Sequence, residues 1–200
     1  MQHVLLIGDS ITWGYSNEVR RLLAGQAEVT LIPDNAQTTV FGLQQLADWL
    51  GDTRWDVIHF NWGLWDLCYR DPPSLNQGNR DKINGTVSVP LADYATNLTE
   101  LVTRLTATGA RLIWASITPI PDGELGRITG DEVKYNAVAE KIMRAHQIEI
   151  DDLYTGILPH CQELQLPDGD VHFTEAGYAF LARQVVGCIL QAQPEFARSL

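Results

Sequence analysis

Val4-Leu5-Leu6-Ile7-Gly8-Asp9-Ser10-Ile11-Thr12-Trp13-Gly14 decides how this chain folds, because an unbroken apolar run stops at a compact polar turn and a helical pattern takes over. Four successive apolar residues without polar alternation fit a strand covered on both faces, as strands of parallel sheets are. Asp and Ser are favoured at helix N-termini, so the turn reads as the junction between a first strand and a first helix.

Outward from that junction the same alternation repeats along the chain. Val29-Thr30-Leu31-Ile32, Val57-Ile58-His59-Phe60, Leu112-Ile113-Trp114-Ala115 and a short Ile148-Glu149-Ile150 are further apolar runs. Between them Leu43, Leu46, Ala47 and Leu50 recur at helical spacing, as do Leu91, Tyr94, Leu98, Leu101 and Leu105, and then Val133, Ala137, Val138 and Ile142. Pro90 and Asp131 suit helix starts, and a last helix begins at Thr174-Glu175 with Phe180, Leu181, Val185 and Ile189 on its buried side. Strands alternating with helices predict an α/β fold, a five-stranded parallel sheet between two helical layers, in a single domain over residues 1–200. In such a sheet ligands lie beyond the carboxyl ends of the strands, where the winding reverses. The stretch 69–89, polar and carrying Pro72, Pro73, Gly78 and Gly85, interrupts the pattern as a long insertion, a kind of loop that is usually functional or mobile.

Composition narrows the function. With 14 Lys+Arg against 25 Asp+Glu the formal charge is −11, which disfavours nucleic acid and anionic membrane as partners. Cys68, Cys161 and Cys188 are odd in number and widely spaced, so neither a disulfide framework nor a Cys-x-x-Cys metal pair is expected. Together with the lack of a basic and apolar leader before the first strand, they set a cytoplasmic location as the expectation. Neither Gly-x-Gly-x-x-Gly nor Gly-x-x-x-x-Gly-Lys occupies the first turn, and no His, Asp and Glu set has ligand spacing, so no cofactor and no metal are expected.

Ser10 at a helix N-terminus sits where free amide hydrogens stabilise negative charge on oxygen, and taken locally it is either a nucleophile or simply the helix cap. A serine needs a base, and His172 lies in Asp168-Gly169-Asp170-Val171-His172-Phe173-Thr174, a polar turn before the last helix that should project to the same sheet edge. An adjacent carboxylate would fix the imidazole tautomer. His3, His59, His146 and His160 read as surface or structural residues.

Gly8-Asp9-Ser10 near the N-terminus and the acidic turn with His172 before the C-terminal helix resemble the GDSL/SGNH hydrolase superfamily over essentially the whole chain. Asn61-Trp62-Gly63-Leu64-Trp65-Asp66, Ser116-Ile117-Thr118-Pro119-Ile120-Pro121 and Tyr135-Asn136 are similar to a bacterial subgroup of it. The resemblance implies a flavodoxin-like, three-layer SGNH fold and a serine esterase acting on a small carboxylic ester, with Ser10 as nucleophile and His172 as general base. It further implies an oxyanion hole built from the serine amide, a glycine amide after strand two and an asparagine after strand three. Here the glycine position holds Gln37, whose amide serves provided the turn does not require a positive φ, and the asparagine position holds Trp65. Trp65 through its indole N–H, or Asn61, remains as the third donor. The family places Asp three residues before His, where this chain has Gly169, so the carboxylate is Asp170, favoured, or Asp168. Asp9, Trp13, Trp62 and Asp66 are the candidate substrate contacts, with packing as the alternative for each ring. Two other functions stay open: a binding domain with a degraded oxyanion hole, and transfer of the acyl group to an alcohol instead of water.

Overall fold

A computed structural model describes residues 1–191 of the chain, so the last nine positions of the expected 1–200 domain lie outside the described residues. Strand β1 (Gln2–Ile7) leads into α1 (Ser10–Leu22), followed by β2 (Ala27–Leu31), α2 (Thr39–Leu50) and β3 (Val57–Phe60). A two-stranded excursion, β4 (Tyr69–Arg70) and β5 (Thr86–Val87), precedes α3 (Leu91–Thr106), β6 (Arg111–Ala115), α4 (Asp131–Ala145) and β7 (Glu149–Asp151). Two short helices, α5 (Leu153–Ile157) and α6 (Cys161–Leu164), lead to α7 (Glu175–Leu190).

The main sheet has five parallel strands in the order β2-β1-β3-β6-β7, as the alternating apolar runs require. Val4, Leu5, Leu6 and Ile7 of β1, at the inner side of the sheet, are all fully buried, which is why that run carries no polar alternation. Helices α1 and α7 pack on each other, while α2, α3 and α4 pack in a row, giving the two outer layers. Burying these helix stripes and both sheet faces supplies the main stabilisation, at roughly 25 cal/mol per Å² of apolar surface removed from water. Among the described residues no helix is long and apolar enough to cross a membrane.

Chain direction across the sheet reverses between β1 and β3, so the crevice at the carboxyl ends of these two strands is the natural ligand site. The stretch 69–89 is ordered by its own bonds and by others to the segment after β6: Tyr69 N–H donates to the Gly126 carbonyl at 2.6 Å and Lys82 N–H to that of Leu125 at 2.9 Å. It therefore forms a fixed wall beside the crevice. The short helices α5 and α6 carry no periodic apolar signal long enough to be read from sequence, and were not expected.

Candidate active site

Asp9, the residue before α1, is its cap: the Oδ1 oxygen accepts from the Ile11 amide at 2.9 Å. Ser10 is thereby the first helical residue, and its hydroxyl is free of capping duty, which removes the helix-cap alternative for it. The Ser10 amide lies in the first turn of α1, where no intrahelical acceptor exists. Burial pushes the Asp9 carboxyl above its ordinary pKa, against the downward pull of the Ile11 amide and of Arg127 and His172.

Ser10 Oγ lies 2.8 Å from His172 Nε2. Asp170 Oδ1 lies 2.5 Å from the other ring nitrogen, Nδ1, and also accepts from the His172 amide at 3.0 Å. A carboxylate can only accept, so Nδ1 carries the hydrogen and Nε2 is left as the acceptor for the serine hydroxyl. Burial raises the Asp170 pKa, but the His172 amide and ring outweigh it and hold the carboxyl below its ordinary range. Such a chain of three groups can take a proton from the serine and stabilise the imidazolium that results.

The turn carrying His172 is shaped by two successive left-handed residues, Asp168 at φ 60° and Gly169 at φ 75°. A Cβ on Gly169 would stand 2.4 Å from the backbone carbon of Gly123, so this position, where the family has its aspartate, admits no side chain here. Asp168 is exposed and bonds to nothing in the site, which corrects its candidacy as the partner of His172. The carboxylate has moved to Asp170, beyond the turn.

Beside Ser10 and His172 opens a cleft of about 300 Å³ with Asp9, Asn35, Leu64 and Trp65 on its walls. A second depression, lined by Trp13, Pro33 and Asp34, shares Ser10 and Asn35 with it, and the Trp13 ring is exposed there.

Other expected contacts lie elsewhere. Trp62 is fully buried and its indole N–H donates to the Ala36 carbonyl at 3.3 Å, so it packs the core and does not line the cleft. Asp66 is fully buried under α2, accepting from the Thr39 amide at 2.8 Å and hydroxyl at 2.6 Å, and burial pushes its pKa up to about 7. It fixes the start of α2 and touches no cleft. Asn61 is also inside, its side-chain amide donating to the Ala115 carbonyl at 2.7 Å across β3 and β6, which corrects it as an oxyanion donor.

Gln37 adopts φ 49°, the left-handed conformation that favours glycine, and its amide donates to Asn35 Oδ1 at 2.9 Å. The proviso on its backbone therefore fails: the turn does require a positive φ, and an Asx turn has claimed the amide hydrogen. That turn holds the Asn35 side chain at the cleft wall, a residue sequence reasoning passed over although it stands two positions before Gln37. Trp65 lines the cleft with the Arg70 guanidinium 4.8 Å above its ring.

Arginines are the larger omission. Arg70 and Arg80 from the 69–89 wall and Arg127 from the segment after β6 all line the cleft, and no sequence spacing links them. Arg127 is buried, donating to the Leu64 carbonyl at 2.6 Å and to Glu124 at 2.9 Å. Asn136 clamps Ile117 by two bonds of 2.8 and 2.9 Å, and the Tyr135 hydroxyl donates to the Val89 carbonyl at 2.7 Å, so this motif supports the loops and does not reach the cleft.

The family model described as GDSL-like Lipase/Acylhydrolase matches residues 6–180. Among solved structures, a lipase/acylhydrolase from Enterococcus faecalis superposes with a TM-score of 0.75 at 22% identity, over 94% of this chain and 95% of that one. The acetyl xylan esterase AlAXEase gives 0.75 at 16% identity over 94% and 100%, and the acetylxylan esterase Axe2 from Geobacillus stearothermophilus gives 0.72 at 16% over 96% and 95%. At these identities the likeness is one of fold. No curated protein matches the chain in sequence.

Proposed function

The chain belongs to the GDSL-like lipase/acylhydrolase family of serine hydrolases, and from that premise we propose that it hydrolyses a small carboxylic ester, such as an acetylated carbohydrate or short-chain acyl ester, through an acyl-enzyme on Ser10. Support comes chiefly from the 2.8 Å contact between Ser10 Oγ and His172 Nε2, with Asp170 behind the imidazole. Ser10 attacks the ester carbonyl as His172 takes its proton, and the imidazolium, held by Asp170, then protonates the departing alcohol. Water, activated by the same imidazole, releases the acid and restores the serine. The oxyanion is received by the Ser10 amide at the start of α1, with the Asn35 side-chain amide and the Trp65 indole N–H, both on the cleft wall, as the further donors. An acetyl ester of a sugar is favoured among substrates because two of the superposed structures are acetylxylan esterases.

Turnover of p-nitrophenyl acetate by the wild type and by Ser10→Ala tests this. Loss of roughly 10⁴-fold or more in kcat is expected, the scale found when a catalytic serine is removed. Fluorophosphonate labelling confined to Ser10 is the matching covalent result, and equal, negligible rates without labelling would return the chain to the class of binding domains.

A further inference from the structure

We propose that the cleft beside Ser10 selects esters bearing an oxyanion, a carboxylate or a phosphate, which is received by Arg70 and Arg80. This deepens the esterase reading and rests on it. The basis is an imbalance of charge at one place in an otherwise acidic protein. Elsewhere Arg21, Arg104, Arg111, Lys134 and Arg144 each meet one carboxylate, and of the described basic side chains without one, Arg20, Arg54, Lys141 and Arg183 stand exposed to solvent and Lys82 is half-buried. In the cleft, Arg80 and Arg127 share a single oxygen, Oε1 of Glu124, at 3.1 and 2.9 Å. The other oxygen of Glu124 accepts from the Gly126 amide.

Arg70 has no carboxylate partner among the described residues. It lies over the Trp65 ring and donates through Nη1 to the Gly78 carbonyl. Nearby, Asp170 is engaged by His172, while Asp9 on the cleft wall accepts from the Ile11 amide through Oδ1 and keeps its buried Oδ2 without a hydrogen-bond partner. Three of the chain's 14 basic residues thus line one cleft, with Glu124 shared by Arg80 and Arg127 as their ion-pair partner and none for Arg70, although the formal net charge is −11.

Arg127 is accounted for by structure, since it is buried and braces Leu64 and Glu124. Arg70 and Arg80 are not: both are half-buried on the wall, and each keeps guanidinium N–H groups beyond those it donates to the protein. Held by Trp65, Gly78, Gln77 and Glu124, the two planar forks are fixed before any ligand arrives, which suits an oxyanion bound in a defined geometry. Low-dielectric walls concentrate that field, whereas the acidic exterior would repel the same anion.

The experiment compares kcat/KM for neutral p-nitrophenyl acetate with three anionic esters. Mono-p-nitrophenyl succinate carries a carboxylate on the acyl part, p-acetoxybenzoate carries one on the alcohol part, and p-acetoxyphenyl phosphate replaces that carboxylate by phosphate. At least one anionic ester is expected to exceed the neutral one by about tenfold or more, the scale of one charge-assisted hydrogen bond, and the excess should narrow as salt is added. Arg70→Gln or Arg80→Gln should shrink that ratio about tenfold, with the neutral ester as internal reference for any general damage. Equal rates of the wild type on neutral and anionic esters would overturn the inference while leaving the esterase reading intact, and so would equal losses on every ester in both variants. Calorimetric titration of Ser10→Ala with p-acetoxybenzoate and p-nitrophenyl acetate separates the converse case. If no ester is turned over but the anionic one still binds about tenfold more tightly, hydrolysis fails and anion selection stands.

Discussion

Asp170 holds His172 at two points, accepting from its backbone amide at 3.0 Å and lying 2.5 Å from its ring Nδ1 with the same oxygen. The carboxylate therefore sets both the position and the tautomer of an imidazole that contacts Ser10, 162 positions away in sequence. Asp170→Asn is expected to lower kcat on p-nitrophenyl acetate by about 10²–10⁴-fold, because an amide can present its NH₂ to Nδ1 and stabilise the wrong tautomer. Asp168→Asn should leave the rate unchanged. Steady-state kinetics of the two variants side by side decide between the carboxylates, and a loss confined to Asp168→Asn would reverse the assignment.

Gly169 carries the second prediction. At φ 75° with Gly123 backbone where its Cβ would be, Gly169→Ala must both strain the chain and push two backbones apart. A loss of about 2–4 kcal/mol in unfolding free energy is expected, accompanied by a fall in kcat as the Asp170–His172 turn shifts. Urea unfolding and kinetics on one preparation test it, and an unchanged midpoint with unchanged kcat would show that the turn tolerates the methyl group.

Asp66 gives a pH dependence. Burial raises its native pKa to about 7, well above the unfolded value near 3.9, so between those limits the native state keeps a proton that the unfolded chain releases. Stability from this group is complete below the lower limit and is lost as pH rises through the upper one. Asp66→Asn keeps the acceptor oxygen for Thr39 and removes the titration. From pH 5 to pH 8 the variant should gain on the wild type by on the order of 2–3 kcal/mol, read as diverging urea midpoints. Midpoints that run parallel across that range would show that Asp66 does not ionise on this schedule.

Much of the site's frame was legible from short-range pattern. The all-apolar run Val4 to Ile7 announces a strand buried on both faces, the polar turn after it marks the switch-point end of the sheet, and Thr174 caps α7 where the last helix was expected. Ser10 and His172 were recognisable because each sits at such a junction, and the order of junctions along the chain fixes which sheet edge they share. Asp9, Trp13 and Trp65 also fall on the site, since they neighbour Ser10 or end the loop after β3.

What local pattern does not contain is the direction of side chains in irregular turns and the meeting of segments distant in sequence. Trp62 and Trp65 are three positions apart in one motif, yet one is sealed against Ala36 and the other faces the cleft, a difference set by the backbone path between them. Asp66 and Asn61 look like site residues in sequence and serve α2 and β6 instead. Arg70, Arg80 and Arg127 become one cationic wall only because the 69–89 excursion is bonded to the segment after β6. The sequence by itself determined the α/β order and the parallel sheet, because periodic burial and strand-to-helix junctions are written in neighbouring residues, and it singled out Ser10 and His172 at two of those junctions with the help of the family resemblance. Tertiary structure alone decided that Asp170 and not Asp168 meets His172, since Gly169 has to press against Gly123, and that arginines far apart in sequence face a common cleft.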